Sequence, residues 1–122
     1  MFFETLQHQT QEARAHLMEA PVLTAIPQGR FNLESYRYFL SQAYHHVKHT
    51  VPLMMACGAR LPARLEWVRE ALVEYIRDEY GHQEWILNDL AALGADAEAI
   101  RAGQPDLPIE MMVAWLYDAI ER

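Results

Sequence analysis

From Asn32 onward, Leu33, Tyr36, Leu40, Ala43, Val47, Val51 and Met54 recur at steps of three and four residues. Only an α-helix turns that spacing into one continuous apolar face, so this stretch must bury one side against something else. Asn32 suits the N-cap, because its side chain can accept an orphan backbone N–H of the first turn. Pro52 falls inside the pattern and predicts a kink there, and the run closes at Gly58-Ala59-Arg60-Leu61-Pro62. The same period returns further on. A helix over residues 62–93 carries Leu65, Val68, Leu72, Tyr75, Ile76, Ile86, Leu90 and Leu93, and Gly94 follows as its stop.

A first helix is predicted over residues 2–19, with Phe2, Leu6, Ala13 and Leu17 near one face. Ala20-Pro21 ends it, a short apolar turn follows, and Pro27-Gln28-Gly29 breaks the chain again. After a loop over residues 103–108, Ile109, Met112, Val113, Leu116 and Ile120 form a last amphipathic helix that runs to Arg122. No strand pattern competes, so the expected fold is an all-α bundle of about four helices in a single domain over residues 1–122.

Composition narrows the function classes. The chain has a formal net charge of −7 and no Lys/Arg cluster, which argues against nucleic acid or an anionic membrane as partner. The richest apolar stretch, residues 51–59, is too short to span a bilayer, and the N-terminus has no signal-peptide pattern. One cysteine, Cys57, cannot form an internal bridge and fits a reducing compartment, where its expected role is a small buried hydrophobe. The expectation is an acidic cytoplasmic protein.

The chemistry-bearing feature lies in the 62–93 helix. Followed from Ile76 toward Ile86, its apolar stripe passes through Glu79 and His82. A buried carboxylate needs a cation, a hydrogen-bond partner or a metal, because its desolvation costs several kcal/mol at least. Glu-x-x-His puts both side chains on one helix face, the arrangement by which carboxylate di-iron bundles project ligands inward. A hydrogen-bonded Glu79–His82 pair is the structural alternative. Asp78 lies one step off the stripe, as a second-sphere acceptor or a solvated side chain.

A second group is His45, His46 and His49, of which His45 and His49 have the i,i+4 spacing that can chelate a metal. These fall on the polar side of their helix and are expected to be solvated or to lie at an interface. Gln42 and His46 sit nearer the stripe edge. Tyr36, Gln42, Tyr44 and Tyr75 are candidates to line a pocket, whereas His8 and His16 read as surface residues. No Gly-rich phosphate loop, Ser-His-Asp order or paired CxxC motif is present.

Two segments resemble a known family. Gly29-x-Phe31-x-Leu33-x-x-Tyr36-x-x-Phe39-Leu40-x-Gln42-x-Tyr44-His45-His46 is similar to the second-helix signature of the haem-oxygenase-like superfamily. Asp78-Glu79-x-Gly81-His82-x-x-Trp85, followed by Leu90-x-x-Leu93-Gly94, resembles the next segment of that family. The superfamily includes TenA-type thiaminases, PqqC-type oxidases and haem-oxygenase-like di-iron oxidases. In the di-iron members the second segment carries a metal-binding Glu and His, which correspond to Glu79 and His82. TenA-like enzymes usually place an Asp after the signature Gln; here that residue is Ala43, which speaks against thiamin salvage.

The resemblance implies a partial haem-oxygenase-like bundle that lacks the C-terminal helices carrying the remaining metal ligands. The implied function is an iron-dependent oxidase or oxygenase acting on a small organic substrate, with this chain supplying half of a non-haem di-iron site. The implied partners are a second copy of the chain or a complementing C-terminal chain. Alternatives are a metal-free ligand-binding or assembly module of the same fold, or a cofactor-free TenA/PqqC-like enzyme.

Overall fold

The structure is a computed structural model describing residues 1–122. It contains nine α-helices, two short 3-10 turns and no strand, and the chain is 81% helical. In order the helices are α1 (Phe2–Gln9), α2 (Gln11–Met18), α3 (Pro21–Ala25), α4 (Leu33–Val47), α5 (Thr50–Arg60), α6 (Glu66–Glu79), α7 (His82–Ala92), α8 (Ala97–Ala102) and α9 (Leu107–Glu121). The all-α expectation holds, and each expected helix before the last is subdivided. No helix is long and apolar enough to cross a membrane.

Each subdivision has a local cause. At Thr10 the side-chain hydroxyl donates to the Leu6 carbonyl at 2.8 Å, a local bond that competes with continuation of the helix. Pro21 then occupies the first turn of α3, where its missing N–H costs nothing. Asn32 caps α4 as expected, its Oδ1 accepting the Ser35 backbone N–H at 2.8 Å. The kink expected at Pro52 falls earlier, at Lys48 and His49, so that Pro52 lies in the first turn of α5 and breaks no internal hydrogen bond.

The continuous helix expected over residues 62–93 is corrected most. It stops at Glu79 and restarts at His82, because Gly81 takes a left-handed φ of +94°. The expectation rested on a periodic stripe, and periodicity alone does not register a two-residue break in phase with it. Helix α8 was also not anticipated. Asp96 caps it, its Oδ1 accepting from the Ala99 backbone N–H at 3.0 Å.

Two compact units divide the chain, residues 1–36 and residues 37–122. In the first, no side chain is buried; Phe2, Phe3, Leu17 and Met18 are all exposed. In the second, α5 packs on α6 and α9, and α7 packs on α8. Its core is small: Leu40, Tyr44, Leu87 and Leu90 form one buried cluster, with Ile86, Leu93, Ala95, Ala97 and Ile100 packed around it.

Polar bonds from α4 fix its neighbours in the second unit. The Arg37 guanidinium donates to the Leu93 carbonyl at the end of α7, where Gly94 reverses the chain at φ +80°. Gln42 Oε1 accepts the Asp106 backbone N–H at 2.9 Å, and the Tyr38 hydroxyl donates to the Asp106 carboxylate, tying α4 to the start of α9. At the other end of α9, Arg60 donates to the Glu121 carbonyl at 2.6 Å.

Candidate functional site

Glu79 is the last residue of α6 and His82 the first of α7, so the Gly81 turn alone decides how the two side chains meet. They do meet: His82 Nδ1 lies 2.9 Å from Glu79 Oε2. The side chains are 30% and 21% exposed respectively, so the pair is neither solvated nor sealed. A carboxylate can only accept, so the proton of this hydrogen bond sits on Nδ1 of His82. The Trp85 indole tilts against the imidazole at a centroid distance of 4.4 Å and covers part of the ring.

Imidazole nitrogen and carboxylate oxygen are donors that iron accepts. The arrangement therefore offers one imidazole nitrogen and one carboxylate. Those are two donors, and nowhere does the chain bring three or more His, Cys, Asp or Glu side chains together in a metal-holding group. Asp78 is exposed on α6. Behind the pair, Arg101 of α8 forks onto Glu84 of α7 with both nitrogen–oxygen distances at 2.8 Å. That fork holds the Glu84 carboxyl below its ordinary range and fixes α8 to the first turn of α7.

The histidines of α4 need correction. His45 is buried, only 3% exposed, rather than solvated on a polar face, and its Nδ1 has no hydrogen-bond partner. Its ring packs edge-on against Tyr44 at 5.3 Å. The sequence stripe ran through Ala43 and Val47, but α9 packs on the neighbouring α5 and Asp106 is bonded to Gln42, so a wider arc of α4 is covered than the stripe alone marks. His46 and His49 are half-buried, and His49 Nδ1 lies 3.2 Å from the Tyr117 hydroxyl of α9.

Of the expected pocket-lining residues, Tyr44 is in the core and Gln42 is half-buried on α4, while Tyr75 is exposed on α6. Tyr36 is exposed in the first unit, with Phe31 edge-on to it at 5.8 Å. Sequence reasoning did not single out Lys48, Glu110 and Tyr117, which line a cavity of about 320 Å³ together with His45 and His49. No sequence spacing could reveal that group, because it joins helices about sixty residues apart through tertiary packing.

Burial, then Lys48, then His49 push the His45 pKa below the ordinary 6.5. Burial pushes His46 down, and burial followed by Lys48 pushes His49 down. The unfolded chain thus binds more protons than the folded one as pH falls below 6.5, the ordinary histidine value. The stability these histidines contribute is complete above that pH and lost as pH falls through their depressed folded values. Urea midpoints should be lower at pH 5.5 than at 7.5, and His45→Leu should reduce that difference. An identical pH dependence in the variant would contradict the assignment to His45.

The sequence profile of a family described as iron-containing redox enzymes, haem-oxygenase-like in name, matches residues 37–122. The chain belongs to this family. The match begins at the residue where the second compact unit begins, so the part of the chain that carries the family match is the one that holds Glu79, His82 and the cavity beside α9. No curated protein and no solved structure matches the chain.

Proposed function

We propose that the chain is part of an iron-dependent oxidase or oxygenase for a small organic substrate, with Glu79 and His82 as donors of one half of a non-haem di-iron site. The contact between them across the α6–α7 break carries the reading. It orders a carboxylate and an imidazole in a partly covered position with His82 Nδ1 and the Glu79 carboxylate facing each other, so that both would hold a metal once the proton between them is lost. Family membership supports iron as the metal. The bound metal would supply oxygen activation for oxidation of the organic substrate.

The chain's own residues then have defined work. His82 Nδ1 and the Glu79 carboxylate would bind together, their contact holding each in place before the metal arrives. Trp85 keeps water from part of the imidazole. Because two donors do not complete a centre, the others come in this reading from a second copy or a complementing chain. Trp67, Trp85, Met111 and Trp115, all more than 60% exposed on the second unit, provide apolar area for that association.

Anaerobic Fe(II) titration of the whole chain, with native mass recorded alongside, tests the reading. Saturable binding should weaken at least tenfold in Glu79→Ala and in His82→Ala, each still helical by circular dichroism. Affinity unchanged in both variants would remove these residues from the metal site. A folded wild-type chain that binds no Fe(II) would favour the metal-free module, in which Glu79 and His82 form a structural hydrogen bond.

A further inference from the structure

The surface next to the Glu79–His82 pair is aromatic. Tyr75 lies one helical turn before Glu79, on the same face of α6. Tyr80 leads from α6 into the Gly81 turn, and Trp85 tilts against the His82 imidazole at 4.4 Å. All three rings are more than half exposed, whereas the two donors beside them are each less than one-third exposed. Tyrosine and tryptophan are the side chains that protein contacts favour at their centres, and ring against ring is a contact that a patch can make with a copy of itself.

The donor count points the same way. One chain brings one imidazole and one carboxylate together, and no third His, Cys, Asp or Glu joins them in a metal-holding group. Divalent transition metals take roughly four to six donors. A two-fold axis beside the α6–α7 turn raises the set to two imidazoles and two carboxylates with no other protein involved. Charge then decides when such a pair forms. Each chain carries −7, and the axis brings together two Glu79 carboxylates, each followed on its own chain by the exposed Asp78. Like charges oppose that contact until a dication lies between them. Metal binding and association are therefore one event.

We propose that a second copy of the chain covers the α6–α7 turn, so that two Glu79–His82 pairs share their bound iron across a two-fold axis, with Tyr75, Tyr80 and Trp85 forming the contact around it. This rests on the reading of Glu79 and His82 as metal donors. It goes further by naming the same chain, rather than a complementing one, as the source of the other donors.

Sedimentation velocity of the whole chain, run without oxygen and with the iron content of each boundary measured, tests the proposal. The chain should sediment as a single copy in EDTA and as a pair once Fe(II) is added, and EDTA should return it to single copies. Apparent iron affinity should rise with chain concentration, because two chains bind together. Tyr80→Ser, which leaves both donors in place, should raise the chain concentration for half-pairing about tenfold while remaining helical by circular dichroism. The Glu79→Ala/His82→Ala double variant should stay single with Fe(II) and should not be drawn into pairs by the wild type. Iron held by a chain of single mass, and lost in the double variant, would overturn the shared site while keeping Glu79 and His82 as donors. A folded chain that neither binds iron nor pairs would overturn both readings. Pairing that persists in EDTA or in the double variant, or that Tyr80→Ser leaves unchanged, would overturn the metal-linked contact at this turn.

Discussion

Leu90→Ala should lower the stability of the chain by about 2–5 kcal/mol, the range for emptying a fully buried leucine site. Leu90 is the one large side chain with no exposure, and it sits in a cluster of only four buried residues, Leu40, Tyr44, Leu87 and Leu90. With so few contacts to share the loss, the remaining side chains cannot collapse into the space without giving up their own packing. Urea unfolding should show a lower midpoint with an unchanged slope, since the surface exposed on unfolding is nearly the same. A loss below about 1 kcal/mol would mean that this cluster does not hold α4 to α7 and α8.

Gly81→Val should act on both stability and the site. At φ +94° any residue with a Cβ is strained, and a β-branched one most. No atom lies within 4 Å of the position a Cβ would take, so the cost is conformational rather than a clash. It amounts to about 1–3 kcal/mol if the turn persists. The alternative for the variant is to leave the left-handed region, which extends α6 and reorients His82 relative to Glu79. The variant should therefore be less stable and bind Fe(II) more weakly than the wild type, whereas Glu79→Ala and His82→Ala should lose iron with little loss of stability. Unchanged stability and unchanged iron affinity in Gly81→Val would show that the glycine turn does not set the pair.

Much of this architecture could be read from residue order alone, and the failures are instructive. Three- and four-residue spacing located α4, α6, α7 and α9, and the cap at Asn32 is the one the side chain's chemistry requires. What spacing could not register was discontinuity. A two-residue interruption at Tyr80 and Gly81 leaves the apolar stripe nearly in phase, so the helix over residues 62–93 looked unbroken. Gly81 was the available sign, and it was absorbed into the periodic pattern.

The site divides in the same way. The contact between Glu79 and His82 was legible because both depart from an apolar stripe and are close in sequence, so a local rule sufficed. His45 was misplaced because its burial depends on elements that arrive later in the chain, and helix periodicity within α4 says nothing about them. The cavity lined by His45, His49, Glu110 and Tyr117 was invisible for that reason too, because those residues come together only when the end of α4 and the turn after it lie beside α9.

The most direct measurement is a residue-resolved map of paramagnetic line broadening, recorded on isotope-labelled protein as Fe(II) is added without oxygen. If Glu79 and His82 hold the metal, amide signals of residues 79–85 should broaden first, and those of residues 45–49 should keep their width. Broadening that begins at residues 45–49, or that spreads evenly over the acidic surface, would contradict the assignment of iron to the α6–α7 turn.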